Sequence, residues 1–119
     1  MPQAGAGIDL VSLRRVRILL KNSGSRIRRV LAPREALCFG RSRIPAGAFA
    51  RQFAAKEAFL KACHDPTLEL SEIEVKILPQ DRFRVKSLRS SGSTSFREGE
   101  GCFFHASSHV GALIILWNP

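Results

Sequence analysis

Three features of the sequence predict an α+β fold. Residues 12–21 carry Leu13, Val16 and Leu20 at helical spacing, and residues 46–62 place Phe49, Phe53, Lys56 and Leu60 in one narrow arc of a helical wheel. After Pro66 the period shortens to two: Ile73, Val75 and Ile77 alternate with Glu72, Glu74 and Lys76. Helical segments thus come first and strands mostly after, the order of an α+β chain. With 119 residues, 45% hydrophobic and 24% charged, the chain fits one domain spanning residues 1–119.

The elements follow in order. Gly5-Ala6-Gly7-Ile8-Asp9-Leu10-Val11 reads as a short strand ending in a turn. The helix from Ser12 to Lys21 sets Arg14, Arg17 and Lys21 on a second face, with Arg15 beside them, and Asn22-Ser23-Gly24 ends it. A helical turn is expected over Arg26 to Val30. Another helix starts at Pro33, with Glu35 in its first turn and Gly40 as its stop. The loop Arg43-Ile44-Pro45 leads into the long helix Ala46 to Ala62, where Glu57 and Lys61 sit on one margin of the apolar arc. Pro79-Gln80-Asp81 marks a turn before a strand carrying Phe83 and Val85. Residues Ser87 to Gly101, rich in Ser, Gly and charge, read as a mobile surface loop. Phe103 to Trp117 returns to strand, interrupted by His105, Ser107, Ser108 and His109, and Val110 to Trp117 reads as buried.

Nineteen Lys and Arg against ten Asp and Glu give a formal charge of +9. Such a surface attracts polyanions: nucleic acid, phosphorylated small molecules, acidic proteins or anionic membranes. Charge alone does not choose among them. Cys38, Cys63 and Cys102 form no CxxC pair and read as reduced thiols of a cytoplasmic protein. No signal-peptide pattern opens the chain, and its longest apolar run falls short of the ~20 residues a membrane span needs.

Two segments carry specific chemistry. The first is Gly7-Ile8-Asp9, with Arg15 downstream; the second is Phe53-Ala54-Ala55-Lys56-Glu57-Ala58-Phe59-Leu60-Lys61-Ala62. Taken singly they are bland, since Glu57 and Lys61 at i, i+4 make an ordinary solvated pair worth ~0.3–0.5 kcal/mol. Together and in this order they resemble the two signature motifs of the 4'-phosphopantetheinyl transferases, of the small holo-acyl-carrier-protein synthase type. That resemblance implies a phosphopantetheinyl-transferase-like fold, with helices packed on a small, mostly antiparallel sheet. It also implies an activity: transfer of 4'-phosphopantetheine from coenzyme A to a serine of an apo acyl carrier protein, with release of 3',5'-ADP. Phosphoryl transfer of this kind depends on positioning and charge neutralisation.

By resemblance, Asp9 and Glu57 are ligands of Mg²⁺, and Glu57 takes the serine proton, directly or through a water. Lys61 contacts phosphate and stabilises developing charge. Arg14 and Arg15 dock the acidic carrier protein, and Arg51, His105 and Ser107 join Lys61 against coenzyme A. The family also implies a homotrimer with sites between subunits, in the cytoplasm.

The match frays in places. Gln52 stands where the family has arginine, with Arg51 one position earlier. Cys63-His64-Asp65-Pro66-Thr67 replaces a glycine-rich segment, and Gln80-Asp81-Arg82-Phe83 replaces a Gly-Lys-Pro turn. The segment His105-Ala106-Ser107-Ser108-His109 is one residue shorter than the family's late strand motif. These departures keep a non-catalytic relative acting as a scaffold in view. A small basic nucleic-acid-binding domain is the further alternative, although no RNP-like, KH or zinc-finger motif supports it.

Overall fold

A computed structural model describes residues 3–22, 24–40, 43–89 and 96–118. Five strands form one sheet: β1 (Gln3–Ser12), β2 (Ile73–Leu78), β3 (Arg82–Ser87), β4 (Glu98–Ala106) and β5 (His109–Asn118). Their order is β1-β5-β4-β3-β2, and every neighbouring pair is antiparallel. The helices are α1 (Leu13–Asn22), α2 (Gly24–Ile27), α3 (Pro33–Phe39) and α4 (Ala46–Cys63). Single 3₁₀ turns follow α2 at Arg28–Val30 and precede β2 at Leu70–Glu72. The α+β expectation holds, and α4 is the long helix that the apolar arc predicts.

One face of the sheet is the floor of the core. Val11, Ile73, Val75, Phe83, Val85, Phe103, Val110, Ala112, Ile114 and Leu116 alternate along their strands and are buried on that face. Helix α4 crosses it through Phe49, Ala50, Ala54, Ala55, Ala58, Phe59 and Ala62. Its small residues let backbone meet backbone. A Cβ on Gly7 would overlap the Ala58 carbonyl oxygen, and one on Gly5 would overlap that of Ala62. Glycine at these two positions is what allows β1 to lie directly under α4.

A buried ion pair fastens the other side of α4. Lys56, with no exposed surface, points Nζ at Glu35 Oε1 at 2.6 Å and donates to the carbonyls of Val30 (2.7 Å) and Leu70 (3.1 Å). Glu35 also accepts the N–H groups of Ala32 (2.9 Å) and Val75 (2.7 Å). The place of Lys56 in the apolar arc is thus real, although the position is filled by a cation. Burial pulls its ammonium below the ordinary lysine range, and the bond and charge of Glu35 oppose that shift.

Four expectations need correction. Ile77 is 40% exposed, so only Ile73 and Val75 of β2 reach the core. Of the run Val110 to Trp117, residues 110–116 are buried on one face only, with Leu113 38% and Ile115 65% exposed. The segment Ser87 to Gly101 is not one loop, because β3 ends at Ser87 and β4 begins at Glu98. Arg89 within it is pinned by Glu72 Oε1 (2.7 Å) and the Thr67 carbonyl (2.6 Å); residues 90–95 lie outside the described residues. Finally, β1 runs straight into α1 with no intervening turn, Ser12 Oγ accepting the N–H of Arg15 at 3.3 Å as a helix cap. Helix α1 does stop at Asn22, but Ser23, part of the expected stop signal, lies outside the described residues.

Candidate active site

Where β1 passes under α4, the two motifs meet. Residues Gly7, Asp9 and Val11 share the helix-facing side of β1, and the close approach at Gly7 brings Asp9 beneath the third and fourth turns of α4. Lys61 Nζ donates to Asp9 Oδ1 at 2.8 Å and to the Ile8 carbonyl at 3.1 Å. Glu57, one turn earlier on α4, is half-buried. Burial raises its carboxyl above the ordinary value of 4.5, the negative charge of Asp9 raises it further, and Lys61 pulls the other way.

Asp9 and Glu57 open into one cleft of about 540 Å³, walled by Val16, Phe49 and Phe53 and rimmed by Arg15 and Arg26. Two carboxylates sharing a cleft, one with its proton affinity raised partly by the other, fit a divalent cation. Among the described residues no group of three or more His, Cys, Asp or Glu gathers. Two carboxylates are the protein share that Mg²⁺ commonly takes, with waters and substrate phosphates completing its shell.

The expected coenzyme contacts do not all fall here. Arg51 lies about 9 Å along α4 from Glu57 and on the opposite flank of the helix. There its guanidinium sits 5.5 Å from the centre of the Phe103 ring on β4, with Nη2 3.2 Å from Asp81 Oδ1. His105 Nε2, also on β4, lies 3.1 Å from that same oxygen. Thus Arg51 and His105 meet each other, and Lys61 stays with Asp9 near edge strand β1.

Ser107 and Ser108 form the two-residue turn between Ala106 and His109, which pair across the hairpin. That turn adjoins the start of α1, since Leu13 N–H donates to the Ser108 carbonyl at 3.0 Å, and Ser108 Oγ lies 2.8 Å from His109 Nδ1. Arg14 and Arg15 are exposed on α1, and Arg15 reaches the cleft. Sequence reasoning missed Arg26, Asp81 and the apolar cleft wall, since no spacing rule brings α2 or the β2–β3 turn to these places.

Comparison with known proteins identifies the family and the fold. The sequence profile described as the 4'-phosphopantetheinyl transferase superfamily matches residues 5–113. The chain belongs to that superfamily. Within it, curated relatives include holo-acyl-carrier-protein synthases. The one from Syntrophus aciditrophicus is 32% identical over 123 residues, covering 94% of both chains. Other curated relatives match over 59 residues at 46% and 49% identity, and over these the chain spans about half their length. Among solved structures, the holo-acyl-carrier-protein synthase of Plasmodium yoelii shares the fold with a TM-score of 0.80 at 21% identity, covering 100% of this chain and 98% of that one. The Bacillus anthracis enzyme, in complex with CoA (3',5'-ADP), gives a TM-score of 0.72 at 25% identity, covering 97% and 96%.

Proposed function

We propose that the protein transfers the 4'-phosphopantetheine arm of coenzyme A to a serine hydroxyl of an acyl carrier protein. The observation that carries this reading is that Asp9 and Glu57 share one cleft and Lys61 is ion-paired to Asp9 at 2.8 Å, on the fold of a superfamily whose relatives are named for that reaction. The serine oxygen bonds to the β-phosphorus of coenzyme A, the bond from that phosphorus to the bridging oxygen breaks, and 3',5'-ADP leaves. Glu57, whose proton affinity is raised by burial and by Asp9, takes the serine proton directly or through a water. Lys61 offers N–H donors where negative charge grows on the transferring group. Asp9 and Glu57 are the residues that would hold Mg²⁺, which when bound neutralises the charge of the pyrophosphate oxygens. Arg51 and His105, with Ser107 at the hairpin turn, are assigned to coenzyme A.

Calorimetry of coenzyme A with and without Mg²⁺ tests this reading against a scaffold. The proposal requires binding that strengthens with the metal, and metal-independent or absent binding contradicts it.

Arg14 and Arg15 are assigned to an acidic carrier. Exposed cations beside the cleft set encounter and register more than the chemical step. The double substitution Arg14→Glu/Arg15→Glu is therefore expected to raise KM for the carrier about tenfold or more while kcat changes little. An unchanged KM in steady-state assays contradicts that assignment.

We also assign the site to an assembly, a homotrimer in the cytoplasm. Arg51 and His105 on one flank of α4 and Asp9 on the other suit a site completed between chains. The outer face of the sheet supports the same reading. Ile8 56%, Leu10 58%, Phe104 40%, Leu113 38% and Ile115 65% are exposed side by side there, an apolar patch that favours burial against another surface. Sedimentation equilibrium should give three chains' mass, and a monomer at micromolar concentration contradicts the trimer. No described helix is long and apolar enough to cross a membrane.

A further inference from the structure

A carboxylate occupies the middle of the Arg51–His105 cluster. Asp81 Oδ1 lies 3.2 Å from Arg51 Nη2 and 3.1 Å from His105 Nε2, while those two nitrogens are 3.4 Å apart. One imidazole nitrogen cannot donate to Asp81 and accept from Arg51 at once. The arrangement that satisfies every group has both nitrogens donate to Oδ1. The Phe103 ring holds the guanidinium in place beneath this contact. Side-chain exposures of 36% for Arg51, 39% for His105 and 49% for Asp81 leave the cluster open to solvent.

Asp81 does not depend on its ion pairs to stay there. It sits in the β2–β3 turn with φ 55, and its carbonyl accepts the Phe103 N–H at 2.7 Å. The backbone thus tethers an anion over two donors.

We infer that Asp81 is a specificity-determining residue, its carboxylate competing within the molecule for the Arg51–His105 pair so that a phosphorylated ligand must displace it. This rests on the reading that Arg51 and His105 contact coenzyme A. A tethered competitor acts at a high effective concentration and excludes weakly bound monoanions. A half-exposed ion pair is individually weak, so a doubly charged phosphate with several acceptor oxygens can still displace it. The result is selection for a phosphate monoester over carboxylates and halides, at the cost of affinity. Removing the carboxylate strengthens binding.

The test is calorimetry with 3',5'-ADP on the full chain, using wild type, Asp81→Asn and the double variant Arg51→Met/Asp81→Asn, each checked by thermal melting. Asparagine tolerates positive φ, so the turn is kept. Asp81→Asn should bind about five- to tenfold tighter than wild type, a range set by one screened like charge near the phosphate. The gain should vanish in the double variant. Equal affinity of wild type and Asp81→Asn, or a gain that survives Arg51→Met, overturns the inference and leaves carrier modification by the wild type untouched. Failure of every variant both to bind 3',5'-ADP and to modify a carrier overturns the transferase reading, and this inference with it.

Discussion

Glu57→Gln is expected to abolish transfer and at the same time make the folded protein more stable at neutral pH. Asp9→Asn should lower kcat by about 10²–10³ or more, the scale of losing a principal group that stabilises transition-state charge. The stability effect follows from the titration of Glu57. Its folded-state pKa lies above the ordinary 4.5, chiefly through burial and then through Asp9. Between 4.5 and the raised value the native state holds more protons than the unfolded chain, so stability falls as pH rises through that window. Above the window the penalty is complete. Glutamine removes it, so the melting temperature of Glu57→Gln should exceed that of wild type at pH 7 and match it below about pH 4. The measurement belongs in chelator, because a bound cation would stabilise the wild-type carboxylates. A lower melting temperature for Glu57→Gln at pH 7 would show that the carboxylate is not strained in the fold.

Lys56→Met should be the most damaging single change to the fold. It removes the cation from a buried pair and strands Glu35, which then keeps only the N–H groups of Ala32 and Val75. Breaking such a pair costs about 3–5 kcal/mol, a large part of a small domain's stability. At this size that lowers the melting temperature by about 10–20 °C. The pair ties α3 and β2 to α4, and Val30, whose carbonyl Lys56 also holds, lines the cleft beside Asp9 and Glu57. The double variant Lys56→Met/Glu35→Gln should recover part of the loss, since it removes the stranded charge while the carboxamide oxygen still accepts one of the two buried N–H groups. Denaturant titration of the three proteins decides the point. A loss under 1 kcal/mol in the single variant would mean that Glu35 finds another partner.

The candidate residues Asp9, Glu57 and Lys61 were legible in the sequence because each motif is local. Asp9 needs one strand and Glu57 and Lys61 need one helix, whereas the close approach that Gly5 and Gly7 allow between the two emerges only in the fold. The rest depends on contacts between distant segments. Glu35 read as an ordinary first-turn acid, yet α3, α4 and β2 close around it. Asp81 read as a turn residue, yet the hairpin carries it to Arg51 and His105. An apolar run such as Val110 to Trp117 does not tell one buried face from two, and β5 buries one. Gly99 and Gly101 read as signs of a mobile loop. In β4 they make room, since a Cβ at Gly101 would overlap the Phe83 ring and one at Gly99 would overlap Leu116. The segment His105 to His109 is one residue shorter than the family's motif, and the two-residue turn at Ser107 and Ser108 sends its histidines to different neighbours, His105 to Asp81 and His109 to Ser108.

The central claim is that Asp9 and Glu57 make this chain a metal-dependent phosphopantetheinyl transferase. Intact-mass spectrometry of an apo acyl carrier protein, incubated with coenzyme A, Mg²⁺ and the protein, tests it most directly. The expected result is the added mass of one phosphopantetheine on a single serine, lost in chelator and lost with Asp9→Asn or Glu57→Gln. No adduct on any native carrier partner, or full modification by either variant, would contradict it.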